Sequence, residues 1–143
     1  MEENLEGLNI IDLISEKHIV LRREVEDKWA SSNEEEITHT EAFLLAKISM
    51  GRISLAEAAR QAHISRQAMF KCAKKLEEKD YLKFVVEEDH NKYAVLTSKG
   101  QAYCQKSQEL KMNIEDEIAE VLGKDNVLLL KDLLKKNWAK NKI

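Results

Sequence analysis

The chain has 143 residues and no proline, so no position is barred from a helix interior on that account. Glycine occurs four times, and no Ser/Gly-rich stretch is present to act as a flexible linker. The two cysteines, Cys72 and Cys104, both fall in expected helices and make no disulfide framework. No apolar run approaches the roughly 20 residues a membrane span needs. The acidic N-terminus lacks the basic-then-apolar plan of a signal peptide, so the expectation is a cytoplasmic protein with no membrane partner. A Gly-rich phosphate loop, an H-x-x-x-H pair and a C-x-x-C pair are all missing. His18, His39, His63 and His90 are dispersed without ligand spacing, and no Ser/His/Asp set suggests itself. These absences argue against an enzyme and predict neither cofactor nor metal. A redox role for either thiol requires exposure and a lowered pKa, and Cys72 reads as buried.

What is present is charge, unevenly placed. The net charge of −3 disfavours a nucleic-acid partner when taken as a sum. Residues 1–41, however, hold 12 acids against 4 bases, whereas residues 60–83 hold seven bases against three acids. The local field, rather than the sum, governs the approach to phosphates. A solvated lysine face is the plain alternative.

The chain is organised around Ser54 to Leu96. Ser54 and Glu57 have the S-x-x-E spacing of a capping box. Leu55, Ala58, Ala59 and Ala62 then share one helical face. His63-Ile64 is long enough only for a turn, and Ser65 is a fresh N-cap. Met69, Cys72, Ala73 and Leu76 give the second helix its apolar face, and the small alanines let two helix axes cross closely. This pattern is a helix-turn-helix, whose second helix fits a DNA major groove. Arg66, Gln67, Phe70, Lys71 and Lys74 lie opposite the apolar face. Gln pairs with adenine and Arg with guanine, while Lys71, Lys74 and Lys75 suit phosphates. Phe70 has two readings, a thymine-methyl contact or a side chain tucked against the neighbouring helix, and the second is preferred.

The flanks are read more simply. One long helix is expected over 5–32, with Leu8, Ile11, Ile14, His18, Leu21, Val25 and Trp29 forming a stripe. His18 reads as a packed residue of that stripe, with a ligand or pH-sensing role as the alternative. Thr38 and Glu41 make a second capping box, and that helix ends near Gly51 in the left-handed region. Arg52-Ile53 is an extended link, or a single-residue strand. Asp80 takes a left-handed position after the recognition helix. Tyr81–Val86 and Tyr93–Leu96 predict a hairpin, a wing whose tip donors are His90, Asn91 and Lys92, opposed by Glu87, Glu88 and Asp89. Thr97 caps a helix carrying Tyr103, Leu110, Ile114, Ile118 and Val121, which Gly123 breaks. Asp125 caps a last helix with Val127, Leu128, Leu129, Leu130, Leu133, Leu134 and Trp138, apolar around enough of its girth to require burial. One small winged domain cannot bury three such helices, so a two-fold homodimer is expected.

Two stretches, SLAEAARQAHISRQAMFKCAKKLEEKDYL and LTSKGQAY, resemble the multiple antibiotic resistance regulator (MarR) family. The family's Leu-Glu-Glu-Lys-Gly run is matched by Leu76 to Lys79 with Asp80 for Gly, and its Leu-Thr-x-x-Gly by Leu96, Thr97 and Gly100. The resemblance covers nearly the whole chain. It implies a mainly α protein with a small β-hairpin wing, a winged helix-turn-helix over 37–97 and a helical dimerisation region over 1–36 and 98–143. It further implies a repressor relieved by a small-molecule effector and bound as a homodimer to a pseudo-palindromic operator in double-stranded DNA. Ser65, Arg66, Gln67 and Lys71 would then face DNA. Ser54, Phe70, Lys74, Lys75, His90, Asn91 and Lys92 complete the candidate set, and His18 and Trp29 are candidates for an effector crevice. The family's wing Asp-x-Arg is absent, since the tip reads Asp89-His90-Asn91-Lys92. A protein-interaction module on a winged scaffold, with no DNA target, is therefore the alternative function.

Overall fold

In the computed structural model, which describes residues 4–32 and 34–140, the chain forms six helices and one antiparallel hairpin. They are α1 (Ile10–Ser31), α2 (His39–Met50), α3 (Leu55–Ala62), α4 (Arg66–Glu78), β1 (Leu82–Val86), β2 (Lys92–Leu96), α5 (Ser98–Leu122) and α6 (Lys124–Lys135). The mainly helical class with a small hairpin matches the expectation. The described residues group into two compact units, one running to Ser31 and resuming at Glu109, the other from Ser32 to Gln108. Residues 1–3 and 141–143, the ends of the expected helical region, and Asn33 of its loop lie outside the described residues.

The unit from Ser32 to Gln108 has one core. Leu44, Leu45, Met69, Leu76 and Leu82 are fully buried, joined by Ala58, Ala59, Ala73, Tyr81 and Ala94. Each large side chain so buried contributes about 1.5–3 kcal/mol relative to exposure. The hairpin pairs Leu82 with Leu96 and Phe84 with Ala94, so its inner face follows the period of two. No strand forms at Arg52-Ile53.

The caps explain the helix ends, and some differ from expectation. Thr38 makes the full capping box with Glu41: its Oγ1 accepts from Glu41 N at 3.2 Å and its N–H donates to Glu41 Oε1 at 2.9 Å. Ser54 makes only half of one. Its Oγ accepts from Glu57 N at 3.1 Å, but the Glu57 carboxylate turns away to Arg60 and Gln61. A guanidinium one turn on is the stronger partner for a carboxylate than a backbone amide. Gly51 closes α2 with φ +147° and ψ −178°, a glycine-only conformation different from the left-handed one expected. His63 takes the left-handed conformation (φ +57°) at the end of α3.

In the other unit, α1 starts five residues later than expected. Gly7 (φ +80°) turns the chain, and Asn9 caps the helix by accepting from Asp12 N at 2.8 Å, so Leu8 precedes the helix. Helix α1 buries no side chain: Ile11 is 72% exposed, and Ile14, His18 and Leu21 are exposed as well. The expected packing of His18 is not met within one chain. Gly123 (φ +92°) is the N-cap of α6, which leaves Asp125 in the first turn instead of at the cap. There its charge complements the helix dipole. Trp138 lies beyond the helix and donates from Nε1 to Leu133 O at 2.7 Å. The expected burial of α6 is not met within one chain: of its apolar residues only Val127 is buried, while Leu128, Leu129, Leu130, Leu133 and Leu134 are 42–59% exposed. On α5, Ile114 is buried but Val121 is 84% exposed. A single copy supplies no cover for these side chains among the described residues.

Candidate nucleic-acid interface

Helix α4 begins at Ser65, whose Oγ accepts from Ala68 N at 3.0 Å. A hydroxyl that accepts from the backbone keeps its own proton to donate, and the same holds for Ser54 at the start of α3. Both serines are exposed. The inner face of α4 is Met69, Cys72, Ala73 and Leu76, all buried as expected. Its outer face carries Arg66 and Gln67 in the first turn, then Phe70, Lys71, Lys74 and Lys75, all exposed. Phe70 is 49% exposed, which overturns the preferred packed reading and leaves an aromatic edge among cations. A groove of about 600 Å³ borders this face, lined by Thr38 and Thr40 of the α2 start and by Ala68, Lys71 and Lys75.

The cations differ in availability. Lys74 pairs with Glu77 at 2.7 Å, and that hydrogen bond raises its pKa. Among the described residues, Arg66, Lys71 and Lys75 have no acid within ion-pair distance. Lys79, at the far end, donates to Glu41 Oε2 at 3.2 Å. Glu41 is 2% exposed, and its other oxygen already serves Thr38, so one buried carboxylate joins the start of α2 to the end of α4. Burial pushes the Cys72 thiol up to about 11, with Glu41 adding to the effect.

The end of α4 is held by residues that follow the hairpin. Asp80 is left-handed (φ +67°), while Tyr81 N donates to Leu76 O at 2.9 Å and Asp80 N to Glu77 O at 3.0 Å, closing the helix in a Schellman pattern. Thr97 Oγ1 donates to Asp80 O, Thr97 N to Tyr81 O at 3.1 Å and Lys99 Nζ to Lys79 O at 2.7 Å. Three consecutive carbonyls are thus satisfied by the Leu96-Thr97-x-x-Gly100 segment. A Cβ on Gly100 would lie 2.0 Å from Tyr81 O, so only glycine permits this approach. Tyr81 OH donates to Glu35 Oε1 at 2.8 Å, which lowers the Glu35 pKa, while burial, with the same hydrogen bond adding to it, raises that of Tyr81.

The wing's expected donors are placed unequally. His90 sits exposed at the turn with φ +64°. Asn91 is engaged within the tip, donating from N and Nδ2 to the Asp89 carboxylate at 3.0 Å each. Lys92 lies 4.7 Å above the Phe84 ring. A cation missed by the sequence reading, Arg52, reaches the wing: Nη2 donates to Glu87 Oε1 at 2.6 Å, and the guanidinium lies 4.8 Å over the Tyr93 ring. The two partners are 35 residues apart in the chain, and nothing local announces the contact. His18, exposed, and Trp29, half-buried, both belong to α1. Among the described residues, no cluster of His, Cys, Asp and Glu could hold a metal ion, and no helix is long and apolar enough to cross a membrane.

No family model matches the sequence, and no curated protein matches it. Solved structures do match. A MarR family protein from Bacillus stearothermophilus superposes with a TM-score of 0.76 at 13% identity over 88% of each chain. A mutant Escherichia coli MarR gives 0.73 at 20% identity, covering 91% of this chain and 96% of that one. A Mycobacterium tuberculosis MarR family protein in complex with p-aminosalicylic acid gives 0.71 at 23%, covering 90% and 97%. Across essentially its whole length, the chain has the winged helix-turn-helix fold of the MarR regulators.

Proposed function

We propose that the protein is a transcriptional regulator that binds double-stranded DNA as a homodimer and releases it in response to a small molecule. The observation that carries this reading is the outer face of α4, where Arg66, Gln67, Phe70, Lys71 and Lys75 stand exposed among the described residues. A helix so presented, with a hairpin after it, suits a major groove beside a flanking backbone contact. The apolar faces of α1 and α6 support pairing with a second copy, because exposed leucines in such number mark an interface. Two recognition helices would then meet half-sites about one helical turn apart. The fold likeness to a protein holding p-aminosalicylic acid makes an aromatic carboxylate the first effector to try, with His18 and Trp29 as residues to test in its recognition. Such a ligand acts only through different affinities for the DNA-competent and incompetent states.

The test is a binding titration on DNA upstream of the protein's own gene at several salt concentrations. The expected result is a steep fall in affinity with salt and loss of binding in Arg66→Ala. Absence of binding at low salt, or a salt slope near zero, removes the reading. Partner capture unaffected by Arg66→Ala would favour a protein-interaction module instead.

A further inference from the structure

The hairpin packs on the core from its base to the middle of its strands, through Leu82, Leu96, Phe84 and Ala94, and its outer end does not. Leu82 and Ala94 are buried, whereas Val86, Glu88, Asp89, His90, Asn91 and Lys92 are exposed. Among the described residues, Arg52 makes the one side-chain ion pair and the one cation–π contact that join residues 86–93 to a segment outside the hairpin. The remaining tip contacts stay inside the hairpin: Asn91 to Asp89, Tyr93 OH to Asp89 Oδ2 at 3.2 Å, and Lys92 over Phe84. Arg52 comes from the connection between α2 and α3, on the other side of the helix-turn-helix in sequence. Its guanidinium is held in two ways, by a hydrogen-bonded ion pair with the Glu87 carboxylate and by its place over the Tyr93 ring. Planar charge and five donors suit both contacts at once, which a lysine ammonium does not.

We propose that Arg52 is the positioning residue of the wing. It clamps the hairpin to the α2–α3 connection, so that His90 and Lys92 reach the DNA flank already oriented, and it offsets the acids that would otherwise repel phosphate there. This rests on the DNA-binding reading of the α4 face. A hairpin held before binding loses less conformational freedom on binding, which is the general gain from preorganisation. An exposed ion pair and an exposed cation–π contact together set the size of the effect at about three- to tenfold in affinity.

The experiment is an anisotropy titration of the full-length protein on its bound duplex, comparing wild type, Arg52→Ala, Arg52→Lys, Glu87→Gln and the Arg52→Ala/Glu87→Gln double variant. Arg52→Ala is expected to weaken binding about three- to tenfold without changing the salt slope, and Arg52→Lys to recover only part. Glu87→Gln is the discriminating variant. A clamp predicts weaker binding and no further loss in the double variant, whereas simple charge arithmetic predicts tighter binding because an acid has left. Tighter binding by Glu87→Gln, or a salt slope reduced by about one in Arg52→Ala as for a direct phosphate contact, overturns the proposal. A second arm needs no DNA. Amide hydrogen exchange across residues 86–93 should quicken about threefold or more in Arg52→Ala, with α4 unchanged. Unchanged exchange there also overturns the proposal. If the wild type binds no duplex but exchange responds, the clamp stands and the regulator reading falls.

Discussion

Replacing Gly100 by alanine sets two opposing effects against each other. Gly100 is the third residue of α5, where Gly→Ala alone would stabilise by about 1 kcal/mol through helix propensity. The new Cβ, however, would sit 2.0 Å from Tyr81 O, 3.1 Å from Tyr81 C and 3.2 Å from Leu96 Cδ2. The close neighbour is backbone, and it cannot rotate away. The two segments must part by about 1 Å to bring the carbon outside 3.0 Å. That movement strains the bonds from Thr97 to Asp80 and Tyr81 and from Lys99 to Lys79. Losing two of them costs about 2 kcal/mol, and overpacking adds about 1–3 kcal/mol. The net expectation is a destabilisation of about 2–4 kcal/mol, a large part of the stability of a domain this size. Urea unfolding followed by circular dichroism measures it, with an unchanged m-value as the sign that only the native state was affected. Because the strained carbonyls end α4, DNA affinity should drop as well. A Gly100→Ala protein as stable as wild type, or more so, would refute the steric reasoning and leave propensity as the dominant effect.

Other expectations follow from the same geometry. Glu41→Ala removes a buried carboxylate that serves both Thr38 and Lys79, and should cost about 2–4 kcal/mol in urea unfolding, whereas Glu41→Gln, able to keep the capping contact, should cost less. Cys72 should resist a thiol reagent at pH 8 in the native protein and react once the chain is unfolded, because its thiol stays protonated up to about 11. The same thiol gives a pH dependence. Its pKa is raised on folding, so its contribution is complete below about pH 9 and fades as pH rises toward 11, where the unfolded chain ionises first. Measured against Cys72→Ala, the stability advantage of wild type should therefore narrow across that window. Paired Leu129→Asp and Leu133→Asp substitutions on the exposed face of α6 should leave the helix-turn-helix unit folded and give a monomer in sedimentation, where wild type is expected to sediment as a dimer.

Signals written within a few residues of each other were legible in the chain alone. The Thr38–Glu41 box, the Ser65 cap, the apolar face of α4 from Met69 to Leu76, the left-handed Asp80 and the two strands each depend on neighbours one turn or one hairpin away. The cationic side of α4 followed from the same periodicity. Local competition defeated some of these readings: Arg60 drew the Glu57 carboxylate away from Ser54, and Asn9 began α1 where apolar spacing alone suggested an earlier start. Contacts between distant segments were decided by the tertiary structure. Spacing cannot show that Arg52 meets Glu87 and Tyr93, that Glu41 holds Lys79, or that Gly100 admits Tyr81 O, because each pair comes together only when the core brings separate elements face to face. The exposure of Phe70 and of the α6 leucines was settled there too, since amphipathic spacing shows which side chains share a face but not whether anything covers it.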